Sequence, residues 1–401
     1  MKYTTYVSAC FFALSCLMPL TTSAATSRSF EVSGWIPYWR TATGTVDALN
    51  HLSVLSEIDP FVYTLKSDGT LYDNAHLDQD PWQNLITTAQ ANHVRVVPSV
   101  MTSNGDLLHT LLSNTKSRQA LATRIAALVK ERNFDGIDID FEGKHAEDKR
   151  FYSLFLQGLY QRMGKKMVMC TIESRTPTDS RYYGVDVPPD AEIYANDFKQ
   201  INKYCDRVRI MAYDQQGVDQ KLLATAASSS QIYAPVADVA WVEKVMNLVA
   251  KDVKKSKLMI GVPTYGYEYD VTAYANNEYI YKILWTFNPG YATQIATQYN
   301  VTPMRNSAGE MYLTYTPTMG TSSPPVGNVS QDALLAASAI SQTATVNNTH
   351  GTFRLLDWSD AGSIQDKVNL AKRLKLRGVS LFKIDGGEDP NIWNVLQGVK
   401  K

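Results

Sequence analysis

The chain has 401 residues, with 39 basic and 39 acidic side chains. That balance offers no basic surface for nucleic acid or for an anionic membrane. The length exceeds one ordinary domain, so a large barrel or two domains is expected.

The first element in chain order is a leader. Lys2 gives a basic start, Tyr6 to Leu20 is apolar, and Thr22-Ser23-Ala24-Ala25 is a small-residue cleavage site. Residues 1–25 therefore read as a secretory signal peptide, because the apolar stretch is shorter than the roughly 20 residues a bilayer requires. A lipoprotein reading through Cys10 or Cys16 is poorly matched by Ala13-Leu14-Ser15-Cys16. The mature protein is expected to be secreted, extracellular or periplasmic, with no membrane insertion. Cleavage would leave only Cys170 and Cys205. An even pair permits one disulfide, but both lie in apolar strand-like segments, where a buried free thiol is the commoner state. They are read as free.

From residue 26 to 401 the pattern is strand, then helix, repeated. Apolar strand-like runs fall at Val32–Tyr38, Glu57–Tyr63, Val94–Met101, Gly136–Glu142, Lys166–Ile172, Arg207–Tyr213, Lys257–Tyr265 and Gly378–Ile384. Helical periodicity appears between them, at Arg118–Glu131, Phe151–Met163 and Val236–Val253, and a terminal helix at Pro390–Val399. Eight such units predict an α/β fold, a closed (β/α)8 TIM barrel. An open doubly wound sheet is the alternative, and no Gly-rich phosphate turn supports it. The spacing breaks once, at about 267–353. That stretch holds a strand-like piece at Met311–Tyr315, a Gly/Ser/Pro loop at Thr318–Gly327 and a helical run at Gln331–Gln342. It is too structured for a loop and predicts a small α+β insertion between strands 7 and 8.

The fourth strand carries the chemistry. In Asp135-Gly136-Ile137-Asp138-Ile139-Asp140-Phe141-Glu142 the apolar residues alternate with acids, so period 2 sends three carboxylates to one face. Neighbours on that face lie about 6.6 Å apart at a rise of about 3.3 Å per residue. Carboxylates stacked that closely raise one another's pKa, and a proton retained on Glu142 is what a general acid needs. A divalent-cation site is the competing reading of an acidic face, although the interleaved Ile and Phe do not fit a calcium loop. Active sites of such barrels sit at the C-terminal ends of the strands, where Glu142 falls. Tyr213 and Asp214 end the sixth strand. Aromatics end others: Trp35, Tyr38 and Trp39; Phe61 and Tyr63; Tyr265 and Tyr267; Phe382. Each alone reads as core; gathered on one rim they would form a wall for stacking against sugar faces.

The eight-residue segment resembles the DGxDxDxE signature of glycoside hydrolase family 18, the chitinase-like family, at every fixed position. Met211-Ala212-Tyr213-Asp214, Gly261-Val262-Pro263-Thr264-Tyr265-Gly266 and the Asp360–Phe382 segment are similar to further family motifs. The resemblance runs from about Phe30 to the C-terminus. It implies a secreted glycosidase cleaving β-1,4 links next to N-acetylglucosamine by a retaining, substrate-assisted route, an exception to the two-carboxylate scheme. Glu142 would protonate the glycosidic oxygen while the substrate's acetamido oxygen attacks the anomeric carbon. Asp140 would orient the acetamido N–H, Asp138 would share the charge, and Tyr213 would hydrogen-bond the acetamido oxygen. Asp214, Met211, Trp35, Tyr63, Tyr265 and Phe382 would contact the sugar. The scheme uses no metal and no cofactor; the partner is an N-acetylglucosamine-containing glycan, and a monomer is expected.

Two positions depart from the family pattern. Ser99-Val100-Met101-Thr102 replaces a Ser-x-Gly-Gly third-strand motif, and Phe382 stands where many members have tryptophan. Both lean towards the cell-wall and spore-cortex branch, as does Asp385-Gly386-Gly387-Glu388-Asp389-Pro390. The substrate choice is chitin-type oligosaccharide, with peptidoglycan as the alternative. A non-hydrolytic lectin on the same barrel is a different class, against which Glu142 itself argues, and a metal-dependent hydrolase is a third.

Overall fold

Alternating strands and amphipathic helices close into a parallel ring. In chain order the strands are β1 (Glu31–Pro37), β2 (Glu57–Leu65), β3 (Leu71–Asp73), β4 (Arg95–Val96), β5 (Ser99–Thr102), β6 (Gly136–Phe141), β7 (Met167–Glu173), β8 (Arg207–Met211) and β9 (Leu258–Pro263). They continue with β10 (Gly266–Ala273), β11 (Tyr279–Phe287), β12 (Met304–Arg305), β13 (Met311–Tyr315), β14 (Gly351–Trp358) and β15 (Gly378–Phe382). The computed structural model describes residues 1–3, 29–229, 231–275, 278–317 and 350–399. Most of the expected leader, the Thr318–Gly327 loop and the Gln331–Gln342 helix lie outside the described residues. No helix among the described residues is long and apolar enough to cross a membrane.

The barrel order is β1-β15-β9-β8-β7-β6-β5-β2, and β1 pairs with β2 to close it. All eight predicted strands are present. The third stave is broken into β4 and β5 around Pro98, which has no N–H to give a ladder. Period-2 alternation sorts each strand. On β6, Ile137, Ile139 and Phe141 face outwards, and the Phe141 ring lies 5.4 Å from Phe155 on the helix Lys149–Met163. Asp138 and Asp140 face inwards.

The floor of the ring is charged. Glu31 accepts from Arg207 Nε at 2.7 Å and also from Arg377. Burial opposes its ionisation, yet Arg207, Arg377 and Arg95 hold its carboxyl down at about 2. Arg95 Nε donates to Glu57 at 2.9 Å.

Between β9 and β15 the chain builds a second, antiparallel sheet of order β11-β10-β14-β13-β12. The helix Pro289–Tyr299 covers it through Ala292 and Ile295, which pack with Phe287, Leu313, Leu356 and Trp358. This is the expected α+β insertion, with its sheet running from Gly266 to Trp358. Gly266 is the pivot: a Cβ there would lie 2.4 Å from Trp358 Cβ and 2.5 Å from the Asp357 carbonyl oxygen. Only glycine permits so close an approach.

One expectation is overturned. Cys170 and Cys205 are joined in a disulfide, with Cα atoms 6.0 Å apart. Both are fully buried, as an apolar setting predicts, but burial does not distinguish thiol from disulfide. The deciding fact is three-dimensional: Cys170 points outwards from β7, and Cys205 ends the helix Phe198–Tyr204 that leads into the neighbouring β8.

Candidate active site

The carboxylates of β6 form a column in which each member has a different environment. Asp138, deepest, is fully enclosed. Trp35 Nε1 donates to its Oδ2 at 3.0 Å, Ser99 Oγ to the same oxygen at 2.8 Å, and Thr171 Oγ1 to Oδ1 at 2.8 Å. Asp140, one step up, is 3% exposed, and its Oδ1 has no hydrogen-bond partner among the described residues. Burial, then repulsion from Glu142 and Asp138, pushes its carboxyl well above the ordinary range. Glu142 is half-buried at the mouth, where its backbone N–H donates to the Thr102 carbonyl at 2.9 Å. Burial first, then the charges of Glu173 and Asp214, raise its pKa against the pull of Lys144. A carboxyl held protonated above its usual range at the open end of the column can donate a proton.

Tyr213 and Asp214 follow β8. The Tyr213 ring stacks on Phe382 with centroids 5.4 Å apart, and burial followed by the charges of Asp140 and Asp214 keeps its hydroxyl protonated. Asp214 adopts a left-handed backbone (φ 59°), which turns its carboxyl to accept from the hydroxyls of Tyr265 and, at 2.7 Å, Tyr267. Burial raises its pKa and those two hydroxyls oppose the shift. Phe382 is the half-buried floor beneath this wall, with Phe61 and Tyr265 each 6.2 Å from it. A cleft of about 460 Å³ opens from here. Trp39, Asp214, Tyr265, Phe382 and Lys383 line its barrel side, and Thr286–Asn288 of the insertion its far side.

The structure therefore brings Asp138, Asp140, Glu142, Tyr213, Asp214, Tyr265 and Phe382 together. Met211, half-buried, faces inwards by alternation with Arg209. Two expected sugar contacts are corrected. Trp35 is 1% exposed and packs edge-on against Phe382 at 5.8 Å, so it holds Asp138 from below instead of meeting ligand. Tyr63 is turned away by a bulge: β2 pairs Phe61 with Ser99 but Tyr63 with Val100, an outward residue. Its hydroxyl sits buried near Asp73, away from the column.

The sequence reading missed the groups beside Glu142. Glu173, at the end of β7, accepts from the Gly143 N–H at 2.9 Å and pairs with Lys144 at 3.3 Å. Burial notwithstanding, Lys144 and the hydrogen bonds keep it below the ordinary carboxylate range. Inward positions on neighbouring strands were the available signal for Glu173 and Thr171. Among the described residues one further cluster, His109, His145 and Glu147, brings donor atoms within 4.8 Å of one another. Its histidines already face carboxylates, His109 with Asp148 at 2.8 Å and His145 with Asp106 at 3.2 Å.

A closed parallel barrel with graded carboxylates at the C-terminal end of one strand defines a barrel-type hydrolytic site. The chain belongs to the glycosyl hydrolases family 18, matched over residues 34–387. It is 28% identical over 170 residues to an uncharacterized glycosylase, YvbX, of Bacillus subtilis, covering 42% of this chain and 44% of that one. It is 28% identical over 183 residues to chitinase A1 of Niallia circulans, covering 40% of this chain and 25% of that protein. The chain thus spans less than half the length of either relative. In fold it is similar to the spore cortex-lytic enzyme SleL of Bacillus megaterium, with a TM-score of 0.67 at 21% identity, covering 93% of this chain and 75% of that one.

Proposed function

We propose that this protein is a secreted glycosidase that hydrolyses β-1,4 bonds next to N-acetylglucosamine in chitin-type oligosaccharides, with retention and with the substrate's own amide as nucleophile. The observation that carries the reading is the gradient along β6: Asp138 saturated with donors, Asp140 pushed strongly towards its protonated form, Glu142 raised and half-buried at the end of the strand. Glu142 passes its proton to the leaving oxygen as the C–O bond breaks. The acetamido oxygen closes on the anomeric carbon, Asp140 faces the amide N–H, and Tyr213 donates to the amide oxygen. Water then attacks the anomeric carbon as the bond from the acetamido oxygen breaks, and gives its proton to the Glu142 carboxylate. The wall of Tyr213, Tyr265 and Phe382 suits the apolar face of a pyranose.

Secretion is supported by the disulfide, since such bonds persist in oxidising compartments. The similarity to a chitinase supports the chitin reading. Phe382, in place of a tryptophan, favours peptidoglycan as the second reading. A product assay on chito-oligosaccharides and on purified peptidoglycan, wild type beside Glu142→Gln, tests both. We expect the variant to lose about 10²–10⁴-fold in turnover, the usual weight of a general acid, while still binding sugar. Equal rates in the two proteins would remove Glu142 from the mechanism.

A further inference from the structure

The cleft beside the column has a charged part that the chemistry above does not use. Trp39 and Arg40 follow β1, Lys383 and Asp385 follow β15, Asn288 comes from the insertion, and all five line the cleft. Asp385, 1% exposed, is their hub. Its Oδ2 takes the Lys383 ammonium, the Asn288 amide at 3.0 Å and, as an ion pair, Arg40 Nε at 3.4 Å. Its Oδ1 takes the Gly387 N–H at 3.0 Å. Despite burial, Lys383 keeps this carboxyl below the ordinary range. Lys383 is further held by Asn288 Oδ1 at 3.0 Å. Two cations thus share one buried carboxylate.

Arg40 is the member left over. Its side chain is 40% exposed, and only Nε is turned to Asp385. Neither Nη nitrogen has a partner among the described residues. It precedes the helix Thr41–Asn50, whose first turn holds no acid; that end of a helix favours anions, so the helix does not account for a cation there. A guanidinium with both Nη free offers a fork that takes a carboxylate through two parallel bonds. Asp214, the other acid lining the cleft, already accepts two tyrosine hydroxyls. Beside the fork, the Trp39 ring is 50% exposed and reaches the Phe382 floor through Phe61, at centroid distances of 5.8 and 6.2 Å.

We propose that Arg40 is a specificity residue: it receives a carboxylate carried by the sugar next to the N-acetylglucosamine unit, with Trp39 against that sugar's ring. This rests on the function proposed above. It extends the substrates from neutral chitin-type chains to acidic N-acetylglucosamine glycans, in which the neighbouring sugar bears an ether-linked lactate or a peptide attached to it.

The test is calorimetric binding to Glu142→Gln, which keeps substrates whole. Four tetrasaccharides are compared: the neutral chito-oligosaccharide, a chain alternating N-acetylglucosamine with its lactyl ether as the free acid, the same chain as methyl ester, and the same chain bearing a short peptide. The free acid should bind about 10-fold or more tighter than the ester, the weight of a charged hydrogen bond. Adding Arg40→Gln should bring that ratio within about twofold. Arg40→Lys keeps the charge and loses the fork, so it should forfeit at least about threefold of the ratio; this variant decides the matter if Arg40→Gln fails to fold. A gain with the free lactyl acid assigns the sugar's own carboxylate, and a gain confined to the peptide-bearing chain assigns the peptide's. Equal affinity for acid, ester and peptide chain, or a ratio that neither Arg40 variant changes, overturns the inference alone. Failure of every one of these chains to bind, with no cleavage by the wild type, sinks the functional reading and the inference with it.

Discussion

Replacing Cys170 and Cys205 together by serine should cost stability far more than activity. The bond spans a sequence separation of 35, and constraining a loop of that size in the unfolded chain is worth about 4 kcal/mol. For 401 residues the unfolding entropy near the midpoint is about 0.8 kcal/mol/K, so Tm should fall by about 5 °C. The segment between the cysteines carries Glu173, which neighbours Glu142. Cys170 itself faces the helices, however, while Thr171 faces the column. Turnover at 25 °C should therefore stay within about twofold, because the loss is mainly one of unfolded-state constraint. Scanning calorimetry of the oxidised wild type beside the double serine variant measures this directly. A Tm within a degree of wild type would refute the entropic reasoning, and a large loss of turnover at a temperature where the variant is folded would refute the separation of bond from site.

Two other outcomes follow from the electrostatics and the aromatic floor. Glu142 acts protonated, so activity should be present below its raised pKa and fall as pH rises through it; Glu173→Gln removes a repelling charge and should move that alkaline limb to lower pH. A limb that stays put or moves up in the kcat/KM profile contradicts the assignment. Phe382→Ala should raise KM about 2- to 10-fold, the worth of one aromatic contact of about 0.5–1.5 kcal/mol, as read from initial rates on chito-oligosaccharides; an unchanged KM would remove Phe382 from the sugar floor.

The parts of the fold legible in the sequence are those set by local periodicity. β6 alternates acid and aliphatic residue by residue, so both its strand character and the shared face of Asp138, Asp140 and Glu142 could be read without neighbours. The eight staves and the insertion follow from the same periods. Tyr63 was misplaced because one bulged residue reverses strand parity, and nothing local to Phe61-Val62-Tyr63 announces the bulge. Trp35 sits at the right strand end but one layer too deep, beneath Phe382. Arg209 stands between Val208 and Ile210, a pattern that reads equally as a half-solvated strand; only the closed ring, which brings Glu57 and Asp59 across from β2, makes that position interior. The disulfide escaped for a similar reason, since the approach of Cys170 to Cys205 depends on how the helix before β8 docks.

Closure of the ring by β1 against β15 has a consequence for biogenesis. The last stave is emitted by the ribosome only after the whole antiparallel insertion, so β1 and β9 must wait with open hydrogen-bonding edges while some hundred residues are made. Unpaired parallel edges invite wrong partners. A nascent chain that cannot complete its ring until the insertion has been made is one for which delayed folding, until β15 emerges, is an advantage.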